Sequence, residues 1–213
     1  MLQSTAASLA IAATGLSIVA LLALHLLSPE FQPSWRMVSE YANGRHGWLL
    51  SLMFATWGIG SLALAVALAP HATGWMGRVG LLFLVLAGTG EIMAALFDIN
   101  HRLHGAAAAI GMPSLPVAAV LLTLALRRVE AAGPPAWSMH LPWLAIVAMG
   151  VGMLLFMRAL AQAGVDLSAQ TRPLAELPAG VTPFVGWANR FVVVAYGVWV
   201  LAAAMSLLRQ PAP

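Results

Sequence analysis

The chain has 213 residues, 61% hydrophobic and only 8% charged, with a mean hydropathy of +0.88. Soluble domains are about 45–50% apolar and about 25% charged, so this composition excludes an ordinary water-facing domain and describes a polytopic membrane protein whose outer surface meets lipid. It contains no cysteine, which removes disulfides, thiolate chemistry and cysteine metal sites, and its ten arginines form no run longer than Arg127-Arg128, which argues against a nucleic-acid partner.

A spanning helix needs about 20 mostly apolar residues. Six segments qualify, at residues 6–28, 47–69, 75–97, 104–126, 141–163 and 183–208. They predict an all-α fold with one six-helix transmembrane domain over residues 1–213. The first segment lacks a positively charged leader and is too long for a signal-peptide core, so it reads as an uncleaved span. Residues 29–46 follow, with Phe31, Trp35, Val38 and Tyr41 at helical spacing. That pattern suits a short amphipathic helix in the membrane interface, closed by Asn43-Gly44. Pro70 ends the second span, and Pro113 and Pro116 fall inside the fourth, where they are expected to kink it. Thr182-Pro183 has the form of an N-cap with proline at the first helical position of the sixth span. Trp48, Trp75, Trp143 and Trp187 fall near span ends, as interfacial aromatic belts require.

An even number of spans puts both termini on one side. The connections at 29–46, 98–103 and 164–182 then share the other side, and they collect most of the charge. Arg36, Arg45, Arg102, Arg158, Arg172 and Arg190 sort to it, with Glu30, Glu40, Glu91, Asp98, Asp166 and Glu176. The terminal side receives Arg78, Arg127, Arg128, Arg209 and Glu130. Several arginines of the first group look paired with acids or lie within a span. The terminal side is therefore assigned to the cytoplasm of a bacterial inner membrane, and the polar cluster to its outer face.

Within that cluster, FDINHRLHG (97–105) carries Asp98, His101 and His104 at steps of three. Residues three apart are neighbours on a helix, but residues six apart diverge. The three converge only across a helix–loop–helix turn, where two histidines and a carboxylate suit zinc, iron or another divalent metal. The alternative is that they are ordinary interfacial loop residues. Glu91 and Arg190 lie about 10 Å inside their spans from the same side, at 1.5 Å per residue. A charge at that depth costs about 2.5–3.5 kcal/mol on insertion scales and normally finds a partner. Matched depth names Glu91 first and Asp98 second as the carboxylate for Arg190. Asn189, beside Arg190, can bond a neighbouring backbone or a ligand. Ser39 is a candidate nucleophile without a G-x-S-x-G elbow around it. His25 and His46, with His104, give a b-type haem reading, which ranks last.

The run SPEFQPSWRMVSEYANG resembles the signature of a bacterial and archaeal multi-span family known as domain of unknown function 998. The positions that carry the likeness here are Ser39, Glu40, Tyr41, Gly44, Asp98, His104, Gly105 and Arg190. The resemblance implies a six-helix membrane fold and supplies no activity. A more distant likeness to the alkaline-ceramidase and adiponectin-receptor hydrolases would imply a zinc site, but the last span here contains no histidine. Together these readings describe a pocket at one membrane face that binds, or acts on, a lipid or amphiphile. Asp98, His104 and Ser39 would be the catalytic candidates, and Asp98, His101 and His104 the metal candidates. Arg190, Glu40, Tyr41, Asn189 and Glu91 would contact the ligand. Membrane lipids are the expected partners. The competing reading is a non-catalytic subunit of a larger membrane complex, with the charges as internal struts.

Overall fold

The computed structural model describes residues 1–128, 133–166 and 174–209, so Glu130 and Arg172 lie outside the described residues. Six helices, each long and apolar enough to cross a membrane, make up the fold. They are α1 (Leu2–Leu27), α2 (Gly47–Leu68), α3 (Gly74–Leu96), α4 (His104–Arg128), α5 (His140–Gln162) and α6 (Val185–Leu208). A one-turn 3₁₀ segment, Ala136–Met139, leads into α5. α1 begins at Leu2, and the N-cap of α6 is Phe184 rather than Thr182.

The connections gather as sorted. At one end, Gln3 Nε2 lies 2.6 Å from His71 Nε2, joining the start of α1 to the α2–α3 turn. At the other end, Asn100 donates to Asn43 Oδ1 at 2.9 Å, and Arg36 donates to the Ala175 carbonyl at 3.1 Å. All three connections on that side therefore touch.

Lipid offers little hydrophobic drive for spans to associate, so close packing rests on small residues. α3 and α4 share the most extensive contact. A Cβ on Gly90 would strike the backbone of Gly111, so the two helix backbones themselves meet there. Gly58 faces the Gly88 carbonyl between α2 and α3, and Gly60 faces Thr14 between α2 and α1. α6 packs on α1 and α5 and carries the large buried rings Tyr196 and Trp199. α5 is the least enclosed helix and turns Leu144, Val147, Val151 and Leu154 outward. Trp48, Trp75, Trp143 and Trp187 are exposed near helix ends, where a bilayer interface accommodates them.

Pro116 removes the N–H that would bond the Met112 carbonyl one turn back. The Tyr196 hydroxyl on α6 donates to that carbonyl instead. A defect in α4 thus becomes a tie between α4 and α6.

The segment at 29–46 corrects the expectation of a surface helix. Only Val38–Asn43 is helical, as a 3₁₀ segment capped by Gly44. Trp35, Val38 and Tyr41 are buried, so the apolar stripe is turned into the bundle rather than laid on the bilayer. The 3₁₀ turn is held by the Glu40 carboxylate, which accepts from the Met37 N–H at 2.8 Å and pairs with Arg36 at 2.7 Å.

Candidate functional site

Two charged side chains, Arg190 and Glu91, lie inside spans at the end where the three long connections meet. Arg190 is 4% exposed. Its Nε donates to His25 Nε2 at 2.7 Å and its Nη2 to the Tyr41 hydroxyl at 3.0 Å. Nη1 donates to the Arg36 carbonyl at 2.6 Å and the Gly186 carbonyl at 3.0 Å. The guanidinium also stands 5.5 Å from the centre of the Tyr41 ring. His25 is set for this role because its Nδ1–H donates to the Leu21 carbonyl at 2.7 Å, leaving the Nε2 lone pair for arginine.

The expected ion pair between Arg190 and Glu91 or Asp98 is corrected here. Arg190 bonds His25, Tyr41 and backbone carbonyls in their place, and Arg36 is the arginine that pairs with a carboxylate here, that of Glu40. Arg190 needs no carboxylate because carbonyl dipoles, a phenol and an imidazole supply acceptors for its planar fork of five donors. Gly186, one turn earlier on α6, lets the loop pass so close that a Cβ would strike the Pro33 carbonyl, the Trp35 N–H and the Arg36 carbonyl. Gly186 N–H donates to the Ser34 carbonyl at 3.0 Å, and Val38 N–H donates to Asn189 Oδ1 at 2.8 Å. The first long loop is therefore fastened along the first two turns of the last helix.

Glu91 is in the opposite situation. It is 5% exposed, and Ser61 Oγ donates to its Oε2 at 2.7 Å. Its Oε1 is buried without a hydrogen-bond partner, as is Nε1 of Trp57. Both residues line a partly enclosed, mainly apolar cavity of about 230 Å³. Ser39, His104 and Asn189 border it from the loop side, and Tyr196 stands deeper. Seven residues separate Asn189 from Tyr196 on α6, so the cavity reaches about 10 Å into the bundle. Phe54 stacks on Trp57 with centroids 6.1 Å apart, and Trp57 meets Tyr196 edge-on at 5.7 Å, giving one wall of three rings. His104 Nδ1–H donates to the Phe97 carbonyl at 2.9 Å, so in the neutral ring Nε2 is an acceptor.

Of the residues named from sequence, the structure brings Ser39, Glu91, His104 and Asn189 around one cavity. Tyr41, Glu40 and Arg190 form the adjoining loop clamp. Asp98 and His101 lie apart from both. Asp98 is exposed and its Oδ1 accepts from the Asn100 N–H at 2.9 Å, closing its own turn. His101 accepts from the Leu103 N–H at 3.1 Å and stacks on Phe97 at 4.6 Å. The metal set of Asp98, His101 and His104 is therefore not assembled; among the described residues no three His, Asp or Glu side chains form a metal-binding group. Asp98 does not continue the face of Glu91, because α3 ends at Leu96.

Sequence reasoning missed Trp57, Phe54, Tyr196 and Ser61, and gave His25 the wrong task. A signal for Tyr196 was present. The chain has only two tyrosines, and Pro116 leaves one carbonyl within a span that requires an outside donor.

The family described as "Protein of unknown function (DUF998)" matches residues 11–206. No curated protein and no solved structure matches the chain.

Proposed function

We propose that this chain, which belongs to the DUF998 family, is a multi-pass membrane protein whose cavity beside Glu91 binds a small amphiphile entering from the loop side. The observation that carries this reading is a buried carboxyl group with one oxygen unpartnered, in the wall of an apolar cavity. A buried polar atom without a partner costs about 1–3 kcal/mol, and a purely structural helix contact gains nothing by keeping one. A ligand donor would remove the penalty.

Size narrows the occupant. Ligand pockets commonly run about 300–1,000 Å³, so a cavity of about 230 Å³ takes a small molecule or the end of a longer one, not a whole phospholipid. On the arginine distribution, the mouth of the cavity would face away from the cytoplasm. His104 and Ser39 sit at that mouth, where either can bond the ligand's polar end.

The test is binding of six-carbon amphiphiles to the purified protein in lipid nanodiscs, read by isothermal titration against empty discs. Ala108 is half-buried and lines the cavity, so Ala108→Phe would fill it. Saturable binding to the native chain that is lost in Ala108→Phe is expected. Equal binding to both would overturn the reading.

A further inference from the structure

We infer that the ligand of this cavity is a primary amine, held as its ammonium ion by Glu91 with Phe54, Trp57 and Tyr196 around its carbon chain. This rests on the reading of the cavity as an amphiphile site and assigns the chemistry of the headgroup.

Three observations converge. Among the described residues, Glu91 is the only acidic side chain in the cavity wall, and neither lysine nor arginine lines it. Ser61 supplies one neutral donor to one carboxylate oxygen, while Oε1 receives nothing. Glu91 can carry a negative charge in such surroundings only with a cation close by. Arg190, the nearest candidate by depth, is committed to His25, Tyr41 and backbone carbonyls, and α3 and α6 share no substantial contact through which it could turn to Glu91.

The aromatic wall adds independent support. Phe54, Trp57 and Tyr196 form a continuous series of ring contacts beside the carboxyl group. Ring faces attract cations and accept alkyl groups, and the attraction strengthens where water is excluded. An anionic headgroup would meet Glu91 as a like charge, and a neutral alcohol would satisfy Oε1 without compensating any charge. A quaternary ammonium would be drawn to the rings but has no N–H to give Oε1. The primary ammonium alone meets every requirement.

The experiment compares hexylamine, hexan-1-ol, hexanoate and hexyltrimethylammonium in nanodiscs at neutral pH, against empty discs and against Glu91→Gln. At least tenfold tighter binding of hexylamine than of hexan-1-ol is expected, with hexyltrimethylammonium weaker than hexylamine and hexanoate undetected. In Glu91→Gln the amine preference should disappear while the weaker alcohol binding persists. If hexan-1-ol or hexanoate binds as tightly as hexylamine, the amine assignment fails and the cavity reading stands. If no hexyl compound binds, the cavity reading fails and this inference with it. An amine preference that survives Glu91→Gln would remove Glu91 from the recognition. The headgroup ranking on the native chain decides the question even if Glu91→Gln does not fold.

Discussion

Arg190 and Glu91 are both buried within spans, yet the protein treats them in opposite ways. Around Arg190 the hydrogen-bond partners are all acceptors: three backbone carbonyls at 2.6, 3.0 and 3.4 Å, an imidazole at 2.7 Å and a phenol at 3.0 Å. Around Glu91 one serine donates, one oxygen has no partner, and the space beside it is a cavity. A saturated charge holds a structure together. A half-satisfied one beside a cavity is open to something that is not part of the chain.

The contrast is broken most directly at Arg190. Arg190→Gln would orphan several buried acceptors at once, and about 3–5 kcal/mol of stability should be lost. Thermal unfolding in detergent measures it, and a loss below about 1 kcal/mol would mean that the loop does not depend on the clamp. A smaller effect is expected at Gly186→Ala, whose methyl would press on the backbone of residues 33–36. Overpacking of this kind costs about 1–3 kcal/mol, and faster proteolysis within the 29–46 loop should accompany it. Smallest is Glu91→Gln, which keeps the shape and removes the charge. Stability should shift by no more than about 1 kcal/mol, towards greater stability, since no partner cation is left behind. Combined with Arg190→Gln its effect should add to within about 0.5 kcal/mol. A larger coupling in that double-mutant cycle would restore the ion pair that the structure replaces.

The helices were legible because apolar length is a one-dimensional property, and the placing of Glu91 and Arg190 within spans followed from the same count. Their pairing was not legible. Depth fixes position along a helix axis and says nothing about which helices are neighbours. α3 packs between α2 and α4, whereas α6 packs on α1 and α5. The motif at 39–41 lies where the cavity and the loop clamp adjoin, and its three residues divide the work. Ser39 faces the cavity, Glu40 holds the turn through Arg36 and the Met37 N–H, and Tyr41 serves Arg190. The dense cluster at 97–105 proved mainly a turn, with His104 alone reaching the cavity. Exposed loop residues are free to be polar, so local charge density there says little about a site. The aromatic wall was hidden for the converse reason. In a chain this apolar, Phe54 and Trp57 look like any lipid-facing residue until packing gives them an inner side.

The clamp also imposes an order on biogenesis. Arg190 is bonded to a carbonyl 154 residues upstream, so the acceptors it needs leave the ribosome long before it does. Until α6 arrives, the 29–46 loop has lost its main anchor, and until that loop is in reach, α6 carries an unsolvated cation into the membrane. Neither is stable alone, and insertion of the last helix becomes the same event as closure of the first loop.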